Sequence, residues 1–533
     1  MIEIRGIKLR VSHNESRLQQ EICKRLRLKK VPEYEILKRS IDARKKPDVF
    51  YIYNVGVKLE NEKNIIKKIN DKNVMLTDRA IYRLPSAGNE NMKHHPLIIG
   101  AGPSGLFCGL ILAKMGYAPV IVERGSDVEE RSLEVERFFE TGQLNTESNI
   151  QFGEGGAGTF SDGKLNTQVK DKYGRIHFVL ETFVKHGANP EILYDYKPHI
   201  GTDVLKEVIK NLRKEIESYG GTFLFHTKVT QFRIEKERIT GVKLLHNEVE
   251  RWVDSNPVVL AIGHSARDTF WSLYKSNINM SAKEFAMGVR VEHKAEWIQE
   301  ASYGNGEAAK QLPAAPYKLT GRSKDERGVY SFCMCPGGYV VNASSEEGRV
   351  AVNGMSYSKR DGFNSNSAIV VSVKQSDFES DHPLAGVFLQ QKLEEQVFCE
   401  GKGKVVAQRY EDFCKNQPTT DFGEVSPQIK GGYTKGDLNR CLPEFITRSI
   451  KEVMPEFGRK IDKFDHKDTV LSGVESRTSS PVRIWRNEEF LSNMDGLYPC
   501  GEGAGYAGGI MSAAMDGMKV AEAIIKKYQP KEK

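Results

Sequence analysis

A short apolar run, Pro96-Leu97-Ile98-Ile99, leads directly into Gly100-Ala101-Gly102-Pro103-Ser104-Gly105 and then into an Ala- and Leu-rich helical segment, Leu106 to Met115. Glycines at the first, third and sixth positions of G-x-G-x-x-G, set between strand and helix, each have a task. Gly100 permits the tight turn, Gly102 lets the backbone approach a pyrophosphate, and Gly105 lets helix and strand pack closely. Pro103 and Ser104 occupy the first helical turn, whose free N–H groups point at the phosphates. A second strand, Ala118 to Val122, ends on Glu123 with Arg124 beside it. That acid lies about twenty residues past the glycines, where a carboxylate accepts ribose hydroxyls. A lone glycine motif also occurs in structural turns. Here strand, helix, second strand and acid agree, and a dinucleotide site is the reading.

The chain's 533 residues, 39% of them hydrophobic, hold roughly three or four domain-sized units. The opening residues lack the features of a secretory signal, and no run reaches the roughly eighteen apolar residues of a membrane helix. A soluble, cytoplasmic protein is expected. The eight cysteines are scattered with no C-x-x-C pair, so neither a metal ribbon nor a thioredoxin-like dithiol is indicated and no metal is expected.

Residues 1–90 read as a separate small α+β module. Ile2 to Val11 alternates as a strand, Ser12 or Asn14 caps a helix to about Leu28, Tyr34 to Leu37 and Asp48 to Val55 are strands, Arg44 to Pro47 is a hairpin tip, and Asn61 to Ile69 is a second helix. The module holds 21 basic against 12 acidic residues, an excess larger than the whole chain's net +7. A nucleic-acid or polyanion surface is one reading, and a solvated basic face is the other. Aromatic residues are not interleaved with the charges as base stacking needs, which favours the second.

Ser86 to Asn91 links the module to a first dinucleotide-binding part, residues 94–275. After a charged helical segment, Val128 to Thr141, Gly153-Glu154-Gly155-Gly156-Ala157-Gly158 opens a loop continuing to Lys164. Its N–H groups suit a cradle for an anion or a polar ring edge, with Gly155, Gly156 and Gly158 as binding candidates. Lys164 either faces negative charge on the ligand or is solvated. A helix from about Thr202 to Tyr219 precedes an expected meander of Thr222–Phe225, Thr230–Ile234 and Ile239–Leu245. The apolar strand Pro257 to Ile262 then stops at Gly263, with His264, Arg267 and Asp268 just beyond. His264 is a candidate proton donor to substrate, and Arg267 a second catalytic candidate.

From 276 to 467 the texture is that of mixed strands with polar loops, an inserted substrate domain. Phe285 to His293 alternates as a strand. Tyr330 to Val341 reads as strand, Pro-Gly-Gly turn and returning strand, with Cys333 and Cys335 as buried small hydrophobes too far apart in a strand to pair readily. Residues 468–533 return to the ligand. A short strand, Gly496 to Cys500, ends in Gly501-Glu502, and Gly509 and Ile510 lead into a small-residue helix whose N-terminus favours negative charge. Upstream, Arg477 lines the cofactor, holds an anionic substrate or braces the domain junction.

These segments together, with Gly100 to Gly105 and Glu123, Gly153 to Gly158, Ala261 to Asp268, Cys333 to Gly338 and the Gly501 stretch, resemble the bacterial FAD-dependent dehydrogenases also labelled NAD(P)/FAD-dependent oxidoreductases, over almost the whole chain. The resemblance implies a Rossmann-like, two-dinucleotide-type (glutathione-reductase-type) FAD-binding α/β domain with an inserted substrate domain and a flavin oxidoreductase activity. The expected chemistry passes electrons between noncovalent FAD and a small organic substrate under the inserted domain, with reduction by NAD(P)H left open by the sequence. It also implies that Glu502, where the wider class commonly has Asp, holds the ribityl chain. No second G-x-G-x-x-G follows a later strand, so a separate nicotinamide domain is not expected.

Overall fold

The computed structural model describes residues 1–69 and 71–531. Five parallel strands stand in the spatial order Leu497–Pro499, Val258–Leu260, Leu97–Ile99, Val120–Val122, Thr222–Leu224. The first strand in sequence is central, the next two extend to one side and the last two to the other. Strand order therefore reverses between Leu97–Ile99 and Val258–Leu260, and the crevice at the carboxyl ends of these two strands is where such sheets bind ligands. Every residue of three of the strands is buried, which explains their unbroken apolar sequences. Helices Pro103–Lys114 and Ile510–Lys527 pack together on one face; a Cβ on Gly517 would lie 2.0 Å from the Ser104 carbonyl oxygen, so glycine sets how close they come.

A three-stranded antiparallel meander, Thr227–Glu235, Arg238–His246 and Val249–Asp254, covers the other face. This corrects the expected meander: Thr222–Leu224 pairs in parallel with Val120–Val122 instead. It emerges from the helix Thr202–Ser218, a crossover that returns the chain to the parallel sheet.

The inserted region is built on a seven-stranded sheet ordered Thr320–Arg322, Gly328–Cys335, Asn364–Val373, Phe285–Lys294, Val470–Glu475, Val405–Arg409, Tyr433–Lys435. Helices Ala385–Glu400 and Glu444–Lys460 pack on it around a large apolar core. Val470–Glu475, assigned above to the returning segment, is an inner strand of this sheet, so the chain leaves it only after Glu475. The expected Tyr330–Val341 hairpin is also corrected. Gly328–Cys335 pairs with Asn364–Val373, whereas Tyr339–Asn342 pairs with Val352–Met355 in another sheet. The turn at Gly337, with φ +47 and the Arg360 carbonyl against it, redirects the chain.

The N-terminal module is a four-stranded sheet, ordered Tyr34–Lys45, Asp48–Val57, Ile2–Arg10, Val74–Leu76, with the helix Glu15–Leu26 capped by the Asn14 side chain. It has its own core but is not detached. Arg39 donates to Glu191 at 2.7 Å and Asp195 at 2.8 Å, and Val11 and Val49 join the core of the inserted region. The module thus braces both larger parts. Among the described residues no helix is long and apolar enough to cross a membrane.

Candidate functional site

Both glycine loops, both helix N-termini and the end of Val258–Leu260 meet at one cavity in the strand-reversal crevice. Gly102 caps the helix Pro103–Lys114 and Gly509 caps Ile510–Lys527; neither N-terminus receives a side-chain cap. Their free N–H groups therefore remain for something else. A Cβ on Gly102 would meet nothing nearer than the Gly156 Cα at 3.9 Å, and on Gly263 or Gly509 nothing within 4 Å. These positions present bare backbone to open space, the cradle an extended phosphate-bearing ligand fills.

Gly100, Pro103, Ser104, Gly156, Gly158, Lys164, Glu502 and Ile510 also line this cavity, as do Glu123 and Arg124. Gly105, Gly155 and Gly501 do not, and serve packing. A Cβ on Gly105 would lie 2.0 Å from the Gly100 carbonyl oxygen, one on Gly155 2.0 Å from the Thr159 hydroxyl, and one on Gly501 2.5 Å from the Ser104 hydroxyl. The Glu123 carboxylate accepts from the backbone N–H groups of Ala101 at 2.9 Å and of Gly125 and Gly153 at 3.0 Å. It ties the fingerprint loop to the second glycine loop, leaving about one of its roughly four lone-pair directions for a ribose. Arg124 is held by Glu147 at 2.7 Å and by both oxygens of Asp268, with its guanidinium over the Phe152 ring.

Sequence reading missed Arg131, which lies inside the charged helix Val128–Thr141 yet is fully buried. Its guanidinium donates to five carbonyl oxygens, those of Asn149, Ile150, Gly153, Glu154 and Gly156, at 2.7 to 3.2 Å. Without a carboxylate in contact, burial pushes its pKa down to about 10, so it stays charged. Nothing in the local pattern separates it from its solvated neighbours. Arg131→Lys keeps the charge but loses most of these bonds. The expected result is a stability loss of about 2 kcal/mol and weaker ligand retention, read by urea unfolding and by cofactor content.

The three catalytic candidates fare differently. His264 lines the cavity and its Nδ1 is 2.8 Å from the Ser265 hydroxyl. Burial, reinforced by Arg477 and Arg267, drives its pKa down to about 3. It is a neutral imidazole at physiological pH, not a cationic acid. Arg267 is corrected: it is off the cavity wall, its guanidinium taken by Glu394, Glu346 and Gln390. Arg477 reaches the wall but gives two bonds to Glu394, at 3.0 and 2.8 Å. Lys164 lies 3.4 Å from Asp162 and donates to the Met334 carbonyl.

An uncharacterised protein of Clostridium beijerinckii is 45% identical over 533 residues, covering 99% of each chain. Residues 284–478 match the family described as FAD-dependent protein, C-terminal domain-like. The chain belongs to one family with the Clostridium beijerinckii protein, and its residues 284–478 carry the FAD-dependent C-terminal domain. Residues 1–58 of this FAD-dependent protein match a domain of unknown function. Among solved structures, a flavin-dependent brominase aligns at 13% identity over 81% of this chain and 78% of its own, with TM-score 0.38. A geranylgeranyl bacteriochlorophyll reductase-like protein of Thermoplasma acidophilum aligns at 11% over 82% and 78%, with TM-score 0.36. A glycine oxidase of Bacillus cereus aligns at 13% over 82% and 98%, with TM-score 0.33.

The open cradle and the two uncapped helix ends of this FAD-dependent protein fit a dinucleotide. Glu502 stands at the cavity with its carboxyl pushed up to about 7 by burial, against the pull of Lys283. The folded protein keeps that proton up to about pH 7, whereas the unfolded chain releases it near ~4.3. Stability from this group therefore falls as pH rises through that window. Glu502→Gln has no proton to lose. In flavin-free protein its melting temperature should gain on wild type from about pH 4 to about pH 7 and level off above that.

Proposed function

We propose that this chain is an FAD-dependent oxidoreductase with a glutathione-reductase-type cofactor site, acting on a small organic molecule held between the parallel-sheet part and the inserted sheet. The observation that carries the reading is the convergence of two uncapped helix N-termini and the unfilled Gly102, Gly263 and Gly509 positions on the strand-reversal crevice. In this reading Gly100, Gly102, Pro103, Ser104 and Gly156 receive the pyrophosphate, and the remaining acceptor of Glu123 takes the adenosine ribose. Glu502 takes the ribityl chain, and Gly509 with Ile510 faces the polar ring edge. Bound FAD supplies two-electron redox chemistry.

The chain's own residues position and tune. The Ile510–Lys527 N-terminus favours negative charge near the ring. Neutral His264 offers or accepts a hydrogen bond to substrate without carrying a charge. Arg477, with its charge already matched by Glu394, gives its other terminal nitrogen to the Ser345 and Ser265 hydroxyls and so braces the cavity wall. NADPH or NADH is proposed as a transient reductant.

The test is the colour and redox response of purified protein. One FAD per chain is expected on denaturation, with flavin absorbance bleached anaerobically by NADPH or NADH. Bleaching by dithionite but by neither nicotinamide would assign the electrons to the substrate. Colourless protein that takes up no added FAD would end this account.

A further inference from the structure

The strand Gly328–Cys335 carries Cys333 and Cys335 to the wall of the proposed flavin cavity. In a regular strand, residues two apart stand about 6.6 Å apart, at the far limit for joining their sulfurs. This strand is not regular at that point. Its pairing with Asn364–Val373 slips between Phe332 and Cys335, and Cys333 takes φ 46, a left-handed conformation disfavoured for a residue with a Cβ. The expected regular strand spacing of the two cysteines fails here. The bulge folds the chain back so that the Cys335 sulfur lies 3.3 Å from the Cys333 carbonyl oxygen. Cys333 is half-buried and lines the cavity beside Phe332, whereas Cys335 is fully buried behind it.

Two cations close on the pair. Arg290, itself fully buried, donates to the Cys333 carbonyl and places a guanidinium nitrogen 3.5 Å from the Cys335 sulfur. Lys164 donates to the intervening Met334 carbonyl. Hydrogen bonding to Cys335, together with Lys164 and Arg290, holds the Cys333 thiol well below its ordinary range. The same bond and burial hold Cys335 above its range. Glu475 pairs with Arg290, and Asp162 with Arg360 and, at 3.4 Å, with Lys164; Asp162 pulls the Cys333 thiol upward, but less than Cys335, Lys164 and Arg290 pull it down. Of the two sulfurs, Cys333 at the cavity is thus the one that favours the negative charge, and Cys335 behind it the one that favours the proton. By contrast, burial pushes the thiols of Cys108 and Cys500 up.

We propose that Cys333 and Cys335 form a redox-active dithiol and that the substrate class is a low-molecular-weight disulfide, an inference that rests on the flavin reading above. In the reducing direction the Cys333–Cys335 disulfide takes two electrons and one proton from the reduced cofactor and opens to a thiolate on Cys333 and a thiol on Cys335. The Cys333 thiolate attacks one sulfur of the substrate disulfide; the substrate S–S bond breaks, a mixed disulfide forms, and the released thiolate takes a proton from solvent. Cys335 then attacks the Cys333 sulfur, passing its proton to the second departing thiolate and re-forming the internal disulfide. The sum is one disulfide, two electrons and two protons giving two thiols. The Cys333 thiolate stands where attack requires it, and the buried Cys335 is the resolving partner. The recess of Cys333 selects small disulfides over folded proteins.

The test uses the purified holoprotein and 2-hydroxyethyl disulfide as probe. After exposure, free thiols are alkylated and the tryptic peptide Gly328–Arg349, which contains only these two cysteines, is weighed. The expected wild-type peptide is unalkylated and lighter by two hydrogens, and returns to the doubly alkylated form after reduction. Cys335→Ser accumulates the mixed disulfide on Cys333, whereas Cys333→Ser gives neither product. Anaerobic reduction of the oxidised wild type consumes twice the electrons of the flavin alone, and either variant only the flavin's share. A wild-type peptide that stays doubly alkylated, or a titration that stops at the flavin's share, overturns the dithiol while leaving the cofactor reading standing. The peptide mass shift is read equally in flavin-free protein, so failure to bind FAD is seen separately.

Discussion

Gly102→Val yields a folded protein that no longer retains FAD. Two facts about this glycine separate binding from folding. Its φ is −75°, so a side chain brings no backbone strain, and its Cβ would point into space bounded only by the Gly156 Cα at 3.9 Å. Valine therefore grows into the cavity rather than into the core. There it covers the uncapped first turn of Pro103–Lys114. Displacing two charge-assisted bonds from that turn costs about 3–6 kcal/mol, on the order of a hundred- to ten-thousand-fold in FAD affinity. The melting temperature of the flavin-free variant should match flavin-free wild type. Gly105→Ala is the contrasting control, because its Cβ would strike the Gly100 carbonyl at 2.0 Å; it should fail to fold. If Gly102→Val retained full FAD content, the pyrophosphate would lie elsewhere.

The difference between these two glycines also shows what a sequence can disclose. The fingerprint was legible because its determinants are local, with strand, turn, helix and acid lying within about thirty residues. The Asn14 cap and the N-terminal strands were legible for the same reason. Arg131 was not: its five acceptors are carbonyls of a loop eighteen or more residues away, and in sequence it is one charge among many on a helix. Thr222–Leu224 looked like a meander strand because a short run does not say which strand it will pair with, and its partner, Val120–Val122, lies about a hundred residues earlier. Cys333 was misread by assuming regular strand geometry where a bulge supervenes, since irregularities set by pairing leave no mark in alternation. Arg267 followed a strand end, as ligand-facing residues do, but the carboxylate that claims it comes from a helix more than a hundred residues later.

That carboxylate gives the second large prediction. Glu394 is fully buried on the helix Ala385–Glu400 and accepts from Arg267 at 2.8 Å, from Arg477 at 3.0 and 2.8 Å, and from the Ser476 hydroxyl at 2.5 Å. Burial alone would raise its pKa, but Arg267 and Arg477 outweigh burial and hold it well below the usual carboxylate range. One side chain of the inserted region thereby anchors the segment after the Val258–Leu260 strand and the segment returning to the cofactor sheet. Glu394→Gln keeps the shape and removes the charge, leaving two buried guanidiniums with only Glu346 as anion. Removing one partner from a buried ion pair costs about 3–5 kcal/mol. The urea midpoint at neutral pH should fall accordingly. The pH dependence distinguishes charge from packing. A carboxylate with a depressed folded pKa contributes stability above its unfolded pKa of ~4.3, and that stability is lost as pH falls through the folded value. The deficit of the variant should therefore be full near neutrality and shrink as the medium is made more acid than about pH 4, where wild type also loses the ion pair. No deficit at neutral pH, or one equal at acid and neutral pH, would mean that the charge of Glu394 is not what holds this junction, and that its two arginines find their stabilisation elsewhere.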